Sequence, residues 1–290
     1  MRGHIFISIY LSLSISLLAG CTKIDRPETD YTSAPADSFI DADIEAQTVC
    51  DNRNIQIKTV SLNMNAPEGP TLTFSGDNRS DADQVVTIRN CSVNNIMMEP
   101  KFEMDMYSGC VASGEAVFPD YLLQTAGIQT FSSISFILRI TDASDNESYF
   151  DTDQFNMFTS MTGKYTQKYD FSGALIAERN GVTIKIGRIA DAKAAFGKQI
   201  YVYIDNTTSI DIAVETVETM IDDIEIDPMF FVTVGAGKKS WAPLTFQDSD
   251  IIKNSIESID NLTISLKVSG IYGTIIDTGA CQVIFGQKST

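Results

Sequence analysis

The residue types able to do chemistry are few, and their placement limits what they can do. The one histidine is His4, inside a segment that reads as a cleaved leader. The rest of the chain then offers no imidazole for a metal, a Ser-His-Asp or Cys-His pair, or a pH switch. Thiols stand at Cys21, Cys50, Cys91, Cys110 and Cys281. Carboxylates crowd two turns, Asp142, Asp145, Glu147, Asp151 and Asp153 in one and Asp222, Asp223, Glu225 and Asp227 in the other. Oxygen-rich turns suit calcium, but neither has the Asp-x-Asp-x-Asp-Gly spacing, and Asp is also a common turn former. No metal or cofactor is expected, and without a nucleophile motif or a deep scaffold for paired carboxylates, neither is an enzyme. The chemistry left is recognition, by Tyr201 and Tyr203 on one segment and by Lys238, Lys239 and Trp241 on another.

Acidic side chains outnumber basic ones 38 to 21, for a formal charge of -17. That excludes a nucleic-acid partner, whose phosphates need clustered Lys and Arg. The first residues run Met-Arg-Gly-His, then an apolar stretch from Ile5 to Leu18, then Leu18-Ala19-Gly20-Cys21. An apolar run this short, after one Arg and closing on small residues, is a secretory signal rather than a membrane span. Its ending resembles the lipobox of bacterial lipoproteins. That resemblance implies a signal peptide over residues 1–20 and a diacylated Cys21, holding the protein to the cell membrane on its extracytoplasmic side. Residues 21–43, rich in Thr, Ser, Pro and Asp, read as a disordered acidic tether.

The steps that position everything else come from an internal repeat. At an offset of 128, Gly69 falls on Gly197, Asp77-Asn78 on Asp205-Asn206, Pro100 on Pro228, Gly109 on Gly237 and Leu138 on Leu266. Upstream the offset is 127 and brings Asn54 onto Gly181, where tight hairpin turns are expected. Period-two alternation (Phe102, Met104, Met106; Ile134, Phe136, Leu138, Ile140; Leu262, Ile264, Leu266, Val268) marks strands buried on one face. Each copy reads as seven or eight strands with one short helix, capped by Asp120 in the first and by Asp248 or Ser249 in the second. The fold class is all-β, two tandem β-sandwich domains over residues 44–161 and 165–290. A break near Thr162-Gly163 is expected to leave two independently folding halves.

The lipobox, the strand ending Tyr203-Ile204-Asp205-Asn206, the turn before Gly237-Lys238-Lys239-Ser240 and the stretch ending Ser255-Ile256 together resemble surface lipoproteins of Gram-positive, gut-type bacteria. These carry tandem immunoglobulin-like domains, and the resemblance implies that topology here. The expected function is a non-catalytic interaction protein anchored through Cys21, displaying two such domains to a protein or glycan. The alternative is a ligand-capturing lipoprotein accessory to a transporter. Tyr201, Tyr203, Lys238, Lys239 and Trp241 are the candidate contacts, because the first copy has Thr73, Ser75, Cys110, Val111 and Ser113 there. Register with Leu72 and Phe74 points both tyrosines outward. The tether enters the first copy, which places the second farther from the bilayer. No cysteine recurs between copies, so no framework disulfide is expected, and Cys281 reads as a buried small hydrophobe.

Overall fold

A computed structural model describes residues 22–24, 38–169, 172–190 and 197–285. Cys21, the leader before it and residues 25–37 of the expected tether lie outside the described residues. After β1 (Thr22–Ile24), the first sandwich contains β2 (Gln47–Asn52), β3 (Ile55–Asn63), β4 (Thr71–Asn78), β5 (Gln84–Val93), β6 (Ile96–Met97), β7 (Glu103–Met106) and β8 (Val111–Val117). It continues through helix α1 (Asp120–Thr125) to β9 (Ser133–Asp142), β10 (Asp145–Asp151) and β11 (Phe155–Phe158). The second contains β12 (Ala174–Arg179), β13 (Val182–Ala190), β14 (Gly197–Asn206), β15 (Ile212–Ile221), β16 (Ile224–Glu225), β17 (Phe231–Val234) and β18 (Lys239–Gln247). Helix α2 (Asp248–Lys253) follows, then β19 (Asn261–Gly270), β20 (Gly273–Asp277) and β21 (Cys281–Phe285).

The copies match element for element, β2 to β11 against β12 to β21 and α1 against α2. In each, one sheet is a meander of three strands with a fourth, β8 or β18, returning beside the third. The chain crosses to the facing sheet after β4 or β14, returns after β7 or β17, and crosses again through the helix. These crossing connections make each copy an immunoglobulin-like β-sandwich. The alternating residues fill the interiors: Ile134, Phe136, Leu138 and Ile140 are fully buried in the first, as are Leu262, Ile264, Leu266 and Val268 in the second. The expected hairpin turns form at Arg53-Asn54 and Asn180-Gly181, all four residues at positive φ.

The repeated punctuation has identifiable causes. Gly69 (φ 119) and Gly197 (φ 138) lie so close to the next strand that a Cβ would overlap the carbonyl oxygens of Phe118 and Phe246. Asn78 and Asn206 are wholly buried corner pins. The Asn78 amide donates to the carbonyls of Ala82 and Met106 at 2.9 and 2.8 Å, and its Oδ1 accepts from the Ser80 amide and hydroxyl. Asn206 does the same with Ile210, Val234 and Thr208. One side chain thus satisfies the crossing from one sheet to the other, where no ladder can.

Local expectations at the helix caps and the tether are corrected. Asp120 and Asp248 are the first helical residues rather than caps; Pro119 and Gln247, in extended conformation, occupy the cap positions without a side-chain bond. The carboxylates contribute charge to the first turn instead. The helices stop at Gly127 and Ser255, both left-handed, as Ile128 and Ile256 donate back to Leu123 and Ile251. The tether is partly built into the fold: β1 pairs in parallel with β21, and a backbone bond from Ile40 to Gln129 with burial of Ala42 starts the first sandwich before residue 44.

Replacing Asn78 by Ala strands two carbonyls and an amide, and replacing Asn206 by Ala strands three carbonyls and an amide; each change is expected to destabilise by about 3 kcal/mol. Urea denaturation checks this, and a loss within error of a surface substitution would contradict the assignment.

Candidate functional site at the domain junction

The edge strand β18 of the second sandwich does not end its sheet. Lys239 pairs in parallel with Ile96 of β6, its amide donating to the Asn95 carbonyl at 2.8 Å. The ten-stranded sheet therefore runs β10-β9-β5-β6-β18-β14-β13-β12 through both sandwiches, with β11 also pairing β9 and β7 also pairing β5. Around this bridge the copies exchange side chains. Met97 packs on the second core, and Trp241 on the first.

The Asn94-Asn95 turn organises the first sandwich's share, both residues at positive φ. Asn94 is buried, its amide donating to Thr130 O and Gln167 Oε1 and its Oδ1 accepting from the amides of Ser132 and Ser133. Gln167, also buried, donates to the Gly127 carbonyl, and the Tyr169 hydroxyl donates to the Asn94 carbonyl. The segment after Thr162 is thus packed against the first sandwich rather than free between the two.

The second sandwich supplies the cations. Lys238 Nζ donates to Asn95 Oδ1 at 3.1 Å and to Ser135 Oγ at 3.0 Å. Burial lowers its pKa, while the neighbouring Cys91 thiol, itself buried, is pushed well up by desolvation. Lys239 Nζ pairs with both Asp205 oxygens at 2.8 and 2.9 Å and lies 4.9 Å over the Tyr169 ring. Asp205 also accepts from the Tyr203 hydroxyl, and burial raises that phenol above its ordinary range.

All five candidate contacts are therefore brought together, but not as the exposed surface expected of them. Tyr201 and Tyr203 do point away from the core of their own sandwich, yet each is only 5% exposed. Trp241 covers them, its ring 6.2 Å from Tyr201 edge-on and 5.8 Å from Tyr203. A side chain at Gly187 would meet that indole at 3.2 Å, so the glycine on β13 gives Trp241 its seat. In the first copy the corresponding face is left to solvent, with Val60 and Val111 exposed. Asn94, Asn95 and Gln167 were not singled out from sequence, although the Asn-Asn to Asp-Asp change at Asp222-Asp223 marked the position.

The acidic turns are occupied by their own chain. Arg139 grips Asp151 through two bonds of 2.8 Å, which hold that carboxyl below its usual range. Asp142 accepts from the Ser144 hydroxyl and amide and is lowered by both. Asp222 accepts from Asn261. Among the described residues no group of three or more His, Cys, Asp or Glu is placed to hold a metal ion. Cys50, Cys91, Cys110 and Cys281 are free thiols. Cys281 is half-buried at the strand edge, less enclosed than its alternation with Val283 suggested.

The sequence matches no protein-family profile and no curated protein. Solved structures to which the chain is similar include the YadV chaperone, at 7% identity and a TM-score of 0.23, covering 74% of this chain and 92% of that one. Another is the SafA pilin in complex with the SafB chaperone of Salmonella enterica, at 9% identity and 0.20, covering 76% and 90%. A third is a protein of unknown function from Porphyromonas gingivalis, at 8% and 0.20, covering 80% and 100%. Likenesses this distant carry no functional argument, and the fold rests on the pairings described above.

A binding role for Trp241 implies little change in melting when it is removed. The junction implies the opposite: Trp241→Ala should cost about 3 kcal/mol and separate a single thermal transition into two. Calorimetry distinguishes these outcomes, and one unshifted transition would contradict the junction assignment.

Proposed function

We propose that this chain is a lipid-anchored, non-catalytic interaction protein of the extracytoplasmic side, held through Cys21 and presenting two sandwiches as one body to a protein or glycan partner. The observation that carries the reading is the shared sheet. A backbone bridge, exchanged Met97 and Trp241 and the half-buried Lys238 join the copies where tandem domains are commonly linked by flexible segments. A fixed pair offers a partner one preformed surface, with less ordering entropy to lose on binding. The same filling argues against capture between lobes, because the space between the sandwiches is taken by the side chains that join them.

Anchoring rests on Leu18-Ala19-Gly20-Cys21, and the partner must use a surface other than Tyr201 and Tyr203. Cys21→Ser should abolish acylation and move the protein from the detergent phase to the aqueous phase on Triton X-114 partition. Retention of the variant in detergent would contradict the anchor.

A further inference from the structure

Where the second sandwich ties its β19–β20 hairpin down, the first holds a cleft. Three segments line it: the Arg53-Asn54 turn, residues 80–84 between β4 and β5, and β10 of the β9–β10 hairpin. Its volume is about 380 Å³, within the range of small-molecule sites. The floor is the end of the core, Ile55 and Ile140, both buried, beside the half-buried Phe150. The hairpin makes the room. Arg139 stands opposite Asp151 and Lys267 opposite Asp277, so at the repeat offset the first hairpin is two residues longer. In the second copy Asn180, at the place of Arg53, donates its amide to the Ile275 carbonyl at 3.0 Å, and Arg179 donates to that of Asp277. These bonds draw the shorter hairpin onto the turn. Arg53 makes no such tie: its guanidinium lies 4.6 Å over the Phe150 ring. Among the described residues no carboxylate pairs with it, although Asp81, Asp142 and Glu147 line the same cleft. Asp142 is engaged by Ser144, while Asp81 and Glu147 are exposed and their carboxylates bond no described side chain.

Deepening the reading of a protein or glycan partner, on which it rests, we propose that this cleft binds a neutral saccharide. A sugar hydroxyl both donates and accepts, and neighbouring hydroxyls match planar groups two at a time. The Arg53 guanidinium serves as donor, the Asp81 and Glu147 carboxylates as acceptors and the Gln84 amide as either. The C–H face of the sugar ring covers the apolar floor. Three carboxylates against one guanidinium, in a chain of formal charge -17, repel an anionic glycan. An apolar ligand would strip water from those charges without replacing its hydrogen bonds. The joint does not obstruct the site, because the cleft lies at Gln84, the first residue of β5, and the Asn94-Asn95 turn follows Val93, the last. Every contact expected from sequence is on the second copy; this site is on the first.

The test captures the full-length, lipidated protein on a phosphatidylcholine bilayer over a plasmon-resonance sensor. Maltotriose, cellotriose, mannotriose and N,N′,N″-triacetylchitotriose are passed across it, with 3′-sialyllactose and trilysine as charged comparators. At least one neutral trisaccharide should bind and sialyllactose should not. Arg53→Gln and Glu147→Gln, both at exposed positions, should each weaken that binding about tenfold with the melting midpoint unchanged. Tyr272→Ala, 90% exposed on the other sandwich, should leave it as it was. Folded protein that binds none of the four sugars, or binds one equally well in both cleft variants, overturns the proposal. Trilysine bound in their place, and lost with Glu147→Gln, overturns it in favour of a basic peptide. Protein that does not stay on the bilayer contradicts the anchor alone, since the same sugars over amine-coupled protein still read the cleft. A sugar bound and then cleaved contradicts the non-catalytic reading and leaves the site standing.

Discussion

The arrangement of the two sandwiches depends on a two-residue turn whose first member is an amide rather than an acid. Asn94 can donate and accept at once, and it uses both capacities, tying Thr130 and Gln167 on one side and Ser132 and Ser133 on the other. With the turn so fixed, the carbonyl and side chain of Asn95 are held where the Lys239 amide and the Lys238 ammonium meet them. The second copy has the same backbone at Asp222-Asp223, both at positive φ. An ionised carboxylate only accepts, and among the described residues Asp222 accepts from the amide and side chain of Asn261. The edge that receives a neighbour in the first sandwich is thus built with different chemistry in the second.

The partner side of the joint shows the same asymmetry. Lys238, Lys239 and Trp241 correspond to Cys110, Val111 and Ser113, so the β8 face lacks the cations and the indole that fill the joint on β18. The chain therefore uses one of two equivalent faces, and the pairing is directional: β6 of the first copy with β18 of the second. Interior strands of both copies share their apolar pattern because sandwich packing demands it. The outer positions, free of that demand, are where one copy became a socket and the other a plug.

Much of the fold could be read from sequence because its signals are local. Alternation at Ile134 to Ile140 and Leu262 to Val268 fixed which face is buried, and Asn54 and Asn180-Gly181 announced their turns. The 128-residue offset correctly paired Asp77-Asn78 with Asp205-Asn206, although it did not reveal why an asparagine stands there. That reason is long-range, since Asn78 collects groups from the loop after β4 and the end of β7. The exposure expected of Tyr201 and Tyr203 is corrected for a related reason. Period two states that Tyr201 and Tyr203 leave their own core, but it carries no information on what covers them. Packing of Trp241 against another sandwich is a tertiary fact, and exposed aromatics and interface aromatics have the same sequence pattern.

The central claim is that the two copies form one cooperative body through the Asn94-Asn95 turn. Native-state hydrogen exchange at the Lys239 amide, which donates to the Asn95 carbonyl, tests it most directly. If the joint opens only when the sandwiches unfold, that amide exchanges with the same opening free energy as core amides such as Leu138, and with the same dependence on denaturant. Exchange through a low-energy opening insensitive to denaturant, with Leu138 still protected, would show that the sandwiches separate while folded and would contradict the account.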